Sequence, residues 1–221
     1  MTGSYDGKRG LVLGVANRRS IAWAIAKRLA DAGAELAFTY QGERIEKNVR
    51  DLAESVSSPL VTECDVRSDA DIERVFREVG ETFDGGLDLV VHSVAYAAAE
   101  DLEGRFTDTP RDRFWLALDI SAYSLIACAR AAEPMMESRG GGAILTMTYL
   151  GGERAVPHYN VMGVAKATEC TSRSTPPSNA SPTSRKTRAT SSSERTSHSV
   201  TSGLETESAS SRTPFSIRSP W

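Results

Sequence analysis

The stretch RGLVLGVANRRSIAWAIA, residues 9–26, joins a short apolar run, a turn with a single glycine and the start of an amphipathic run. A near-continuous apolar run is typical of a strand that is buried on both faces of a parallel sheet. We expect a strand over 9–15, a tight turn at Gly14 and a helix from about residue 20. This unit indicates an α/β fold.

The same alternation of apolar and amphipathic runs continues to about residue 167. Further strands are expected over 35–40, 60–66, 87–95 and 142–149, and helices over 20–32, 43–55, 69–83, 111–138 and 157–167. Helices should begin near Ser20 and Asp69, and the first should stop at Gly33. Because parallel strands need crossover connections, the alternation predicts a Rossmann-like, doubly wound parallel sheet.

Residues 168–221 differ in composition from the rest of the chain, since about half of them are Ser or Thr. Such a segment has too few apolar side chains to form a core. We expect residues 1–167 to form the folded domain and residues 168–221 to be either a disordered tail or an out-of-frame translation product. The second interpretation is favoured because the change falls inside a predicted helix. We therefore expect the C-terminal strands of the sheet to be missing.

Composition narrows the class of protein. Of the 221 residues, 40% are hydrophobic and 25% are charged, and residues 1–167 carry 19 basic and 25 acidic residues, which argues against a nucleic-acid partner. Three cysteines without CxxC spacing favour reduced thiols over a disulfide or metal site. The N-terminus lacks signal-peptide features, and no apolar run approaches the roughly 20 residues that span a bilayer. We expect a soluble cytoplasmic protein without a metal or a membrane partner.

The loops after the first two predicted strands carry residues that suit a dinucleotide. Only the first glycine of GxGxxG is present, but Gly14 permits a tight turn, and the amides of Ser20 and Ile21 open a helix whose N-terminus can face a pyrophosphate. Gln41 follows the second strand, where such folds meet the adenosine half of the cofactor, and Arg44 leaves room for a 2′-phosphate. Each feature also occurs in ordinary βα turns and polar loops.

The third and fourth predicted strands also end in residues of interest. Asp65 ends the third strand, and its carboxylate can accept a hydrogen bond from an adenine amino group. The sequence HSVA, residues 92–95, ends the fourth strand, and its small side chains leave space for a ribose and a nicotinamide. We expect His92, on this apolar strand, to be a structural histidine with satisfied hydrogen bonds.

The stretch YNVMGVAK places Tyr159 and Lys166 seven residues apart on a predicted helix. This spacing is about two helical turns, so both side chains should lie on one face. Tyr149 stands upstream, where the fifth apolar run ends. Taken alone, the pattern is more typical of a core tyrosine and a solvated lysine than of a catalytic pair.

Together these segments resemble the bacterial NADH-dependent enoyl-acyl-carrier-protein reductases, a divergent branch of the short-chain dehydrogenases/reductases. The resemblance covers about residues 5–167 and is carried by GVANRRSIAWAIA, ELAFTYQGER, CDV, HSVA, DISAYSL and TMTYLGGERAVPHYNVMGVAKA. The last segment is the most specific, because this branch has Tyr-x6-Lys where the wider superfamily has Tyr-x3-Lys. There are two departures: Val94 and Ala95 stand where the family usually has Ile and Gly.

The resemblance implies reduction of the trans-2 double bond of enoyl thioesters in fatty-acid biosynthesis, with NADH as cofactor and NADPH not excluded because of Arg44. It implies an acyl-carrier-protein substrate and a homotetramer. Tyr159 would bond the thioester carbonyl, Tyr149 would line the acyl pocket and Lys166 would bind the nicotinamide ribose. The implied cofactor-binding residues are Gly14, Ser20, Ile21, Gln41, Asp65, Val66, Val94 and Lys166.

The resemblance also implies that residues 1–167 form the NAD-binding domain of an incomplete reductase, so we expect little or no activity from this chain. Two other functions are open. A carbonyl-reducing short-chain dehydrogenase would have similar architecture, but Tyr149 stands where such enzymes place a serine. A non-catalytic Rossmann-like binding protein is the other, favoured only by the Ser/Thr-rich segment, which would serve as an interaction tail.

Overall fold

The structure, a computed structural model, describes residues 3–171 and the side chains of residues 3–168. The strands are β1 Arg9–Leu13, β2 Glu35–Tyr40, β3 Val61–Glu63, β4 Leu89–His92 and β5 Ala143–Thr146. The helices are α1 Ile21–Asp31, α2 Glu43–Glu54, α3 Asp69–Thr82, α4 Ala99–Leu102, α5 Arg111–Glu137 and α6 Asn160–Thr171. Beyond residue 171, the predicted tail lies outside the described residues.

The five strands form one parallel sheet in the order β3-β2-β1-β4-β5. This confirms the predicted doubly wound α/β fold. The strand order reverses between β1 and β4, because β2 and β3 lie on one side of β1 and β4 and β5 on the other. In such sheets the ligand crevice opens at this reversal, beyond the carboxyl ends of the strands.

The core consists of two clusters, one on each face of the sheet. Successive residues of β1 alternate between them: Leu11 and Leu13 face α3 and α5, whereas Val12 faces α1 and α2. All three side chains are at most 1% exposed. Burial on both faces explains why β1 lacks the alternation of polar and apolar residues that marks a half-exposed strand.

Local signals placed several helix ends correctly. Ser20 caps α1, with its hydroxyl accepting from the Trp23 amide at 3.4 Å, and Ser68 caps α3 just before Asp69. Gly33 follows the end of α1 with φ +100°, a conformation in which glycine avoids the steric penalty of a Cβ. These ends depend on nearby residues only, which is why the sequence indicates them.

The last described helix differs from the prediction at both ends. It begins at Asn160, so Tyr159 immediately precedes it, and the Tyr159 carbonyl accepts from the Gly163 amide at 2.9 Å. It runs to Thr171, four residues past Ala167, where the predicted helical pattern stopped. Thr168 contributes to this extension by donating its hydroxyl to the Val164 carbonyl at 3.2 Å.

The helix α5 is the longest in the described part of the chain: its helical span of 27 residues includes one π turn, Asp119–Tyr123. By length and composition alone it is long and apolar enough to cross a membrane. This differs from the expectation that no apolar run in the sequence approaches the length that spans a bilayer. Core helices of soluble proteins meet the same criterion. In this fold Cys128, Ala132 and Met136 of α5 pack into the core beside α3.

Strand β5 lies at the edge of the sheet formed by the described residues. Its side chains Ile144 and Leu145 are 37% and 42% exposed. The sequence predicts a fifth strand that is left as an exposed apolar edge, and within residues 3–171 the structure shows that edge. Exposed apolar edge strands offer unpaired backbone groups to other chains and favour aggregation.

Candidate active site

The loops at the carboxyl ends of β1 and β4 approach each other closely. Gly14 has φ +93°, and a Cβ there would collide with the Ser93 carbonyl. Glycine is therefore required for both its conformation and its size. Ala16, Ser93 and Ala95, all small, line the same cleft.

Four of the predicted cofactor-binding residues meet in this cleft, which has a volume of about 170 Å³. They are Gly14, Gln41, Val66 and Val94. These residues follow the carboxyl ends of β1, β2, β3 and β4, respectively. The parallel sheet itself therefore assembles the cleft.

Four predicted cofactor residues lie outside the lining of this cleft: Ser20, Ile21, Asp65 and Lys166. The Ser20 hydroxyl donates to the Asn17 carbonyl at 2.7 Å, which closes the turn before α1. The side chain of Ile21 is 65% exposed on the outer surface of α1. The Ser20 amide also donates to the Asn17 carbonyl, at 3.1 Å. A pyrophosphate at this helix N-terminus would therefore share the Ser20 amide with Asn17 and use the Ile21 amide directly.

The Asp65 carboxylate already has a partner. Both of its oxygens accept from the Arg67 guanidinium, at distances from 2.5 to 3.1 Å. This bonding lowers the pKa of Asp65. An adenine amino group would have to share these oxygens with Arg67, so the predicted adenine contact stays a prediction.

A carboxylate that the sequence analysis did not single out lies where β2 meets α2. The Gly42 amide, at the N-terminus of α2, donates to Glu63 Oε1 at 3.0 Å. Gly42 is the N-cap residue of α2, with φ +76° and no side chain, and Glu63 accepts from the Gly42 amide itself, as the third helical residue does in a capping box. Glu43 adds a second acidic side chain in the first turn of α2.

Tyr149 and Tyr159 form an aromatic pair, although ten residues separate them in the chain. Their ring centroids are 4.8 Å apart and the planes are inclined by 53°. Tyr149 is 52% exposed, whereas Tyr159 is half-buried and lines a cavity of about 550 Å³ with Gly151, Phe106 and Val164. The structure therefore brings the two predicted catalytic tyrosines together.

Lys166 is buried, with only 3% of its surface exposed. Its ammonium donates to the Val94 carbonyl at 3.3 Å. Since Val94 lines the cleft at the end of β4, this contact joins the Tyr–Lys helix α6 to the predicted cofactor site. A buried lysine with a carbonyl partner is not the solvated lysine of the alternative interpretation.

His92 is fully buried at the end of β4, and its Nε2 lies 2.8 Å from the Ser124 hydroxyl of α5. Among the described residues its Nδ1 has no hydrogen-bond partner, so the expectation of a satisfied histidine is only half met. Burial, with a further contribution from the Lys166 charge, lowers the pKa of His92 to about 4. His92 is therefore neutral near pH 7.

Comparison with known proteins agrees with this arrangement. A model of the family described as enoyl-(acyl carrier protein) reductase matches residues 14–175. The curated enoyl-[acyl-carrier-protein] reductase [NADH] FabI of Aquifex aeolicus is 52% identical over 165 residues, which are 75% of this chain and 60% of that protein.

Solved structures of the same kind superpose well. The reductase of Anaplasma phagocytophilum in complex with NAD is 45% identical, with a TM-score of 0.71 over 74% of this chain and 62% of that one. The Bacillus cereus enoyl-acyl carrier protein reductase, solved with NADP+ and indole naphthyridinone, is 52% identical, with a TM-score of 0.70 over 74% of this chain and 63% of that one. This chain thus spans somewhat less than two thirds of the length of these relatives. The family model and the identity to curated relatives show that the chain belongs to the enoyl-(acyl carrier protein) reductase family.

Proposed function

We propose that this chain contains the cofactor site and the Tyr–Lys helix of an NADH-dependent enoyl-acyl-carrier-protein reductase of fatty-acid biosynthesis. The observation that carries the proposal is the joining of two sites by one contact. Lys166 on α6 reaches the carbonyl of Val94 in the cleft, while Tyr159, one residue before α6, lines a second cavity that α6 also lines. A cofactor and an acyl substrate need such neighbouring sites.

The cofactor proposal is NADH, held by the eight residues that the sequence analysis named. Gly14 supports it, because this glycine lets the ends of β1 and β4 approach each other closely and places no side chain in the cleft. When bound, NADH supplies the hydride. The chain's own residues bind and orient it: Gln41 on the adenosine side, the amides of Ser20 and Ile21 near the pyrophosphate, and Lys166 at the nicotinamide ribose.

The proposed role of Tyr159 is to stabilise charge on the substrate. Reduction at the β-carbon of an enoyl thioester moves negative charge onto the thioester oxygen. A hydroxyl that donates to this oxygen binds the transition state more tightly than the ground state and so lowers the barrier. Tyr149, whose ring lies against Tyr159, would orient that phenol and line the acyl pocket.

We propose NADH rather than NADPH because of the charges at the start of α2. A 2′-phosphate at the end of β2 would meet the carboxylate of Glu63, which already holds the Gly42 amide, and the acidic side chain of Glu43. Arg44 is the one basic residue at this end of α2 in the described chain. The negative charges of Glu63 and Glu43 would repel the phosphate and so weaken the binding of NADPH relative to NADH.

The proposed assembly is a homotetramer built on α5 and α6. The side chains of Trp115, Tyr123 and Ile126 on α5 are 58%, 41% and 48% exposed, and Val164 on α6 is 38% exposed. Contiguous exposed apolar side chains mark interaction surfaces. We expect Ile126→Glu to lower the oligomeric state measured by light scattering.

The proposed location is the cytoplasm, where thiols stay reduced. Cys64 and Cys128 are buried free thiols, and burial raises the pKa of each to about 12. The side chain of Cys170 lies outside the described residues.

An absorbance assay of NADH oxidation tests the function. It compares a crotonyl thioester with a ketone, using this chain and a fused chain in which residues 1–167 continue into the C-terminal segment of the Aquifex aeolicus relative. We expect the fused chain to oxidise NADH with the thioester only. Reduction of the ketone in preference would indicate a carbonyl reductase instead. NADH binding without turnover of either substrate would favour the non-catalytic binding protein.

A further inference from the structure

A turn of π-helix interrupts α5 beside the end of β4. It spans Asp119–Tyr123, and the Ser124 amide bonds to the carbonyl of Asp119, five residues back. Single π turns of this kind are rare and occur often at functional sites. Ser121 lies within this turn and Ser124 follows it directly, and both serines are 0% exposed. Neither has a role in the site described so far.

Ser124 determines which nitrogen of His92 carries the proton. Its hydroxyl lies 2.7 Å from the Ile120 carbonyl and 2.8 Å from His92 Nε2. A hydroxyl has a single hydrogen, and a carbonyl can only accept, so this hydrogen goes to Ile120. His92 must therefore donate from Nε2, which leaves Nδ1 without a proton in the neutral ring.

Ser121 holds the other end of the same loop. The Tyr96 amide donates to Ser121 Oγ at 2.9 Å, and the Ser121 hydroxyl donates to the Tyr96 carbonyl at 3.3 Å. Residues 92–96 are thus bonded to α5 at their first and last residues. Between these two points lies Val94, whose carbonyl accepts from Lys166.

We propose that Ser121 and Ser124 are positioning residues, which clamp the segment 92–96 to the π turn of α5 and thereby hold the Val94 carbonyl where it receives the Lys166 ammonium. The clamp has no contact with the reacting atoms and acts through Val94 and Lys166. The effect of the clamp on catalysis rests on the proposed function, whereas the hydrogen bonds that form the clamp do not depend on it.

The spacing of the two serines explains why the turn is needed. Ser121 and Ser124 must both face the loop after β4, and their hydroxyls bond residues that are four positions apart along that loop. A π turn adds a residue to the helical repeat and so changes the direction of the side chains that follow. In the sequence, the two serines of SAYS, residues 121–124, do not by themselves indicate this turn, because the residues that they bond lie on a distant segment.

The test uses the full 221-residue chain without ligand, with ¹⁵N-labelled histidine. We expect the NMR spectrum of His92 at pH 7 to show a protonated Nε2 and an unprotonated Nδ1. In Ser124→Ala the Nε2 proton loses its acceptor, so we expect the second tautomer to become populated. Ser124→Thr keeps the hydroxyl and should restore the original spectrum.

The effect on Lys166 is measured by its rate of reductive methylation relative to Lys27, an exposed lysine on α1. We expect the relative rate to rise at least about 3-fold in Ser121→Ala and in Ser124→Ala, because the Val94 carbonyl is less firmly held. Ser138→Ala is the matched control: Ser138 follows the C-terminal end of α5 and donates to the backbone carbonyls of Met135 and Gly85, but it has no bond to residues 92–96.

Unchanged Lys166 rates in both alanine variants, together with an unchanged His92 spectrum in Ser124→Ala, would overturn the proposal. If a variant loses its fold by circular dichroism, the unmodified chain decides: a proton on Nδ1 instead of Nε2 contradicts the clamp. These measurements do not use turnover. A chain that shows the clamp but reduces no enoyl thioester in the fused form would refute the proposed function and leave the clamp standing.

Discussion

Tyr159 and Lys166 divide the work of the proposed site, and substitutions should separate their contributions. In the fused chain, Tyr159→Phe removes a hydrogen bond to charge that develops in the transition state, so we expect kcat to fall about 100-fold or more. Lys166→Ala should raise the KM for NADH more than Tyr159→Phe does, because Lys166 contacts the cleft. Steady-state kinetics measure both. Equal effects on KM would contradict this division.

Glu63 is expected to determine the preference against a 2′-phosphate. Glu63→Gln keeps an acceptor for the Gly42 amide but removes a charge that, at about 4 Å, contributes roughly 1 kcal/mol per interacting charge even in water. Calorimetry gives the dissociation constants of adenosine 2′,5′-bisphosphate and of 5′-AMP. We expect their ratio to change by about 10-fold in favour of the bisphosphate.

Glu54→Gln is the control for Glu63→Gln, since it removes the same charge from the far end of α2. A shift of equal size in this control would mean that net charge, and not the position of Glu63, determines the preference. Both ligands contact the adenosine half of the site only, so the measurement does not depend on reductase activity.

At the scale of elements, Gly14 determines how closely β1 and β4 can approach at their carboxyl ends. Gly14→Ala places a Cβ against the Ser93 carbonyl at a positive φ, so we expect a loss of about 3 kcal/mol in the free energy of unfolding, measured in urea. Gly140→Ala has a similar φ of +80° but open space around it, and should cost about 1 kcal/mol. Equal losses would show that the contact with Ser93 adds nothing.

The elements differ in how well local sequence predicts them. Ser20, Ser68 and Gly33 mark helix ends through hydrogen bonds and backbone conformations that involve a few neighbouring residues. The π turn of α5 had no such local signal, because its partners on the β4 loop, His92 and Tyr96, lie 25 or more residues away in the chain. Short turns such as α4 were missed because four residues carry too little periodicity.

For the whole molecule, His92 should make stability depend on pH. The pKa of His92 is about 4 in the folded chain, whereas an unperturbed histidine, as in the unfolded chain, has a pKa of 6.5. Between these values the unfolded chain therefore binds more protons than the folded chain. The contribution of His92 to the free energy of unfolding is complete above about pH 6.5 and is lost as the pH falls toward 4. The loss is on the order of 3 kcal/mol over this window.

Urea unfolding from pH 7 to pH 4 measures this dependence. Stability should fall less steeply in His92→Gln than in the unmodified chain, because the neutral amide does not titrate. The same slope in both proteins would show that His92 does not titrate differently on unfolding.

By itself, the amino-acid sequence determined the alternation of strands and helices, several of the helix ends and the identity of the tyrosines and the lysine. These features depend on periodicity, local hydrogen bonds and residue type, all of which are properties of short segments. Only the tertiary structure decided which of them meet. The contact of Tyr149 with Tyr159, the burial of Lys166 against Val94 and the acceptor that Glu63 offers to Gly42 all join separate segments. Parallel pairing of β1 with β4 and of β2 with β3 brings those segments to one edge of the sheet, and no local pattern encodes that edge.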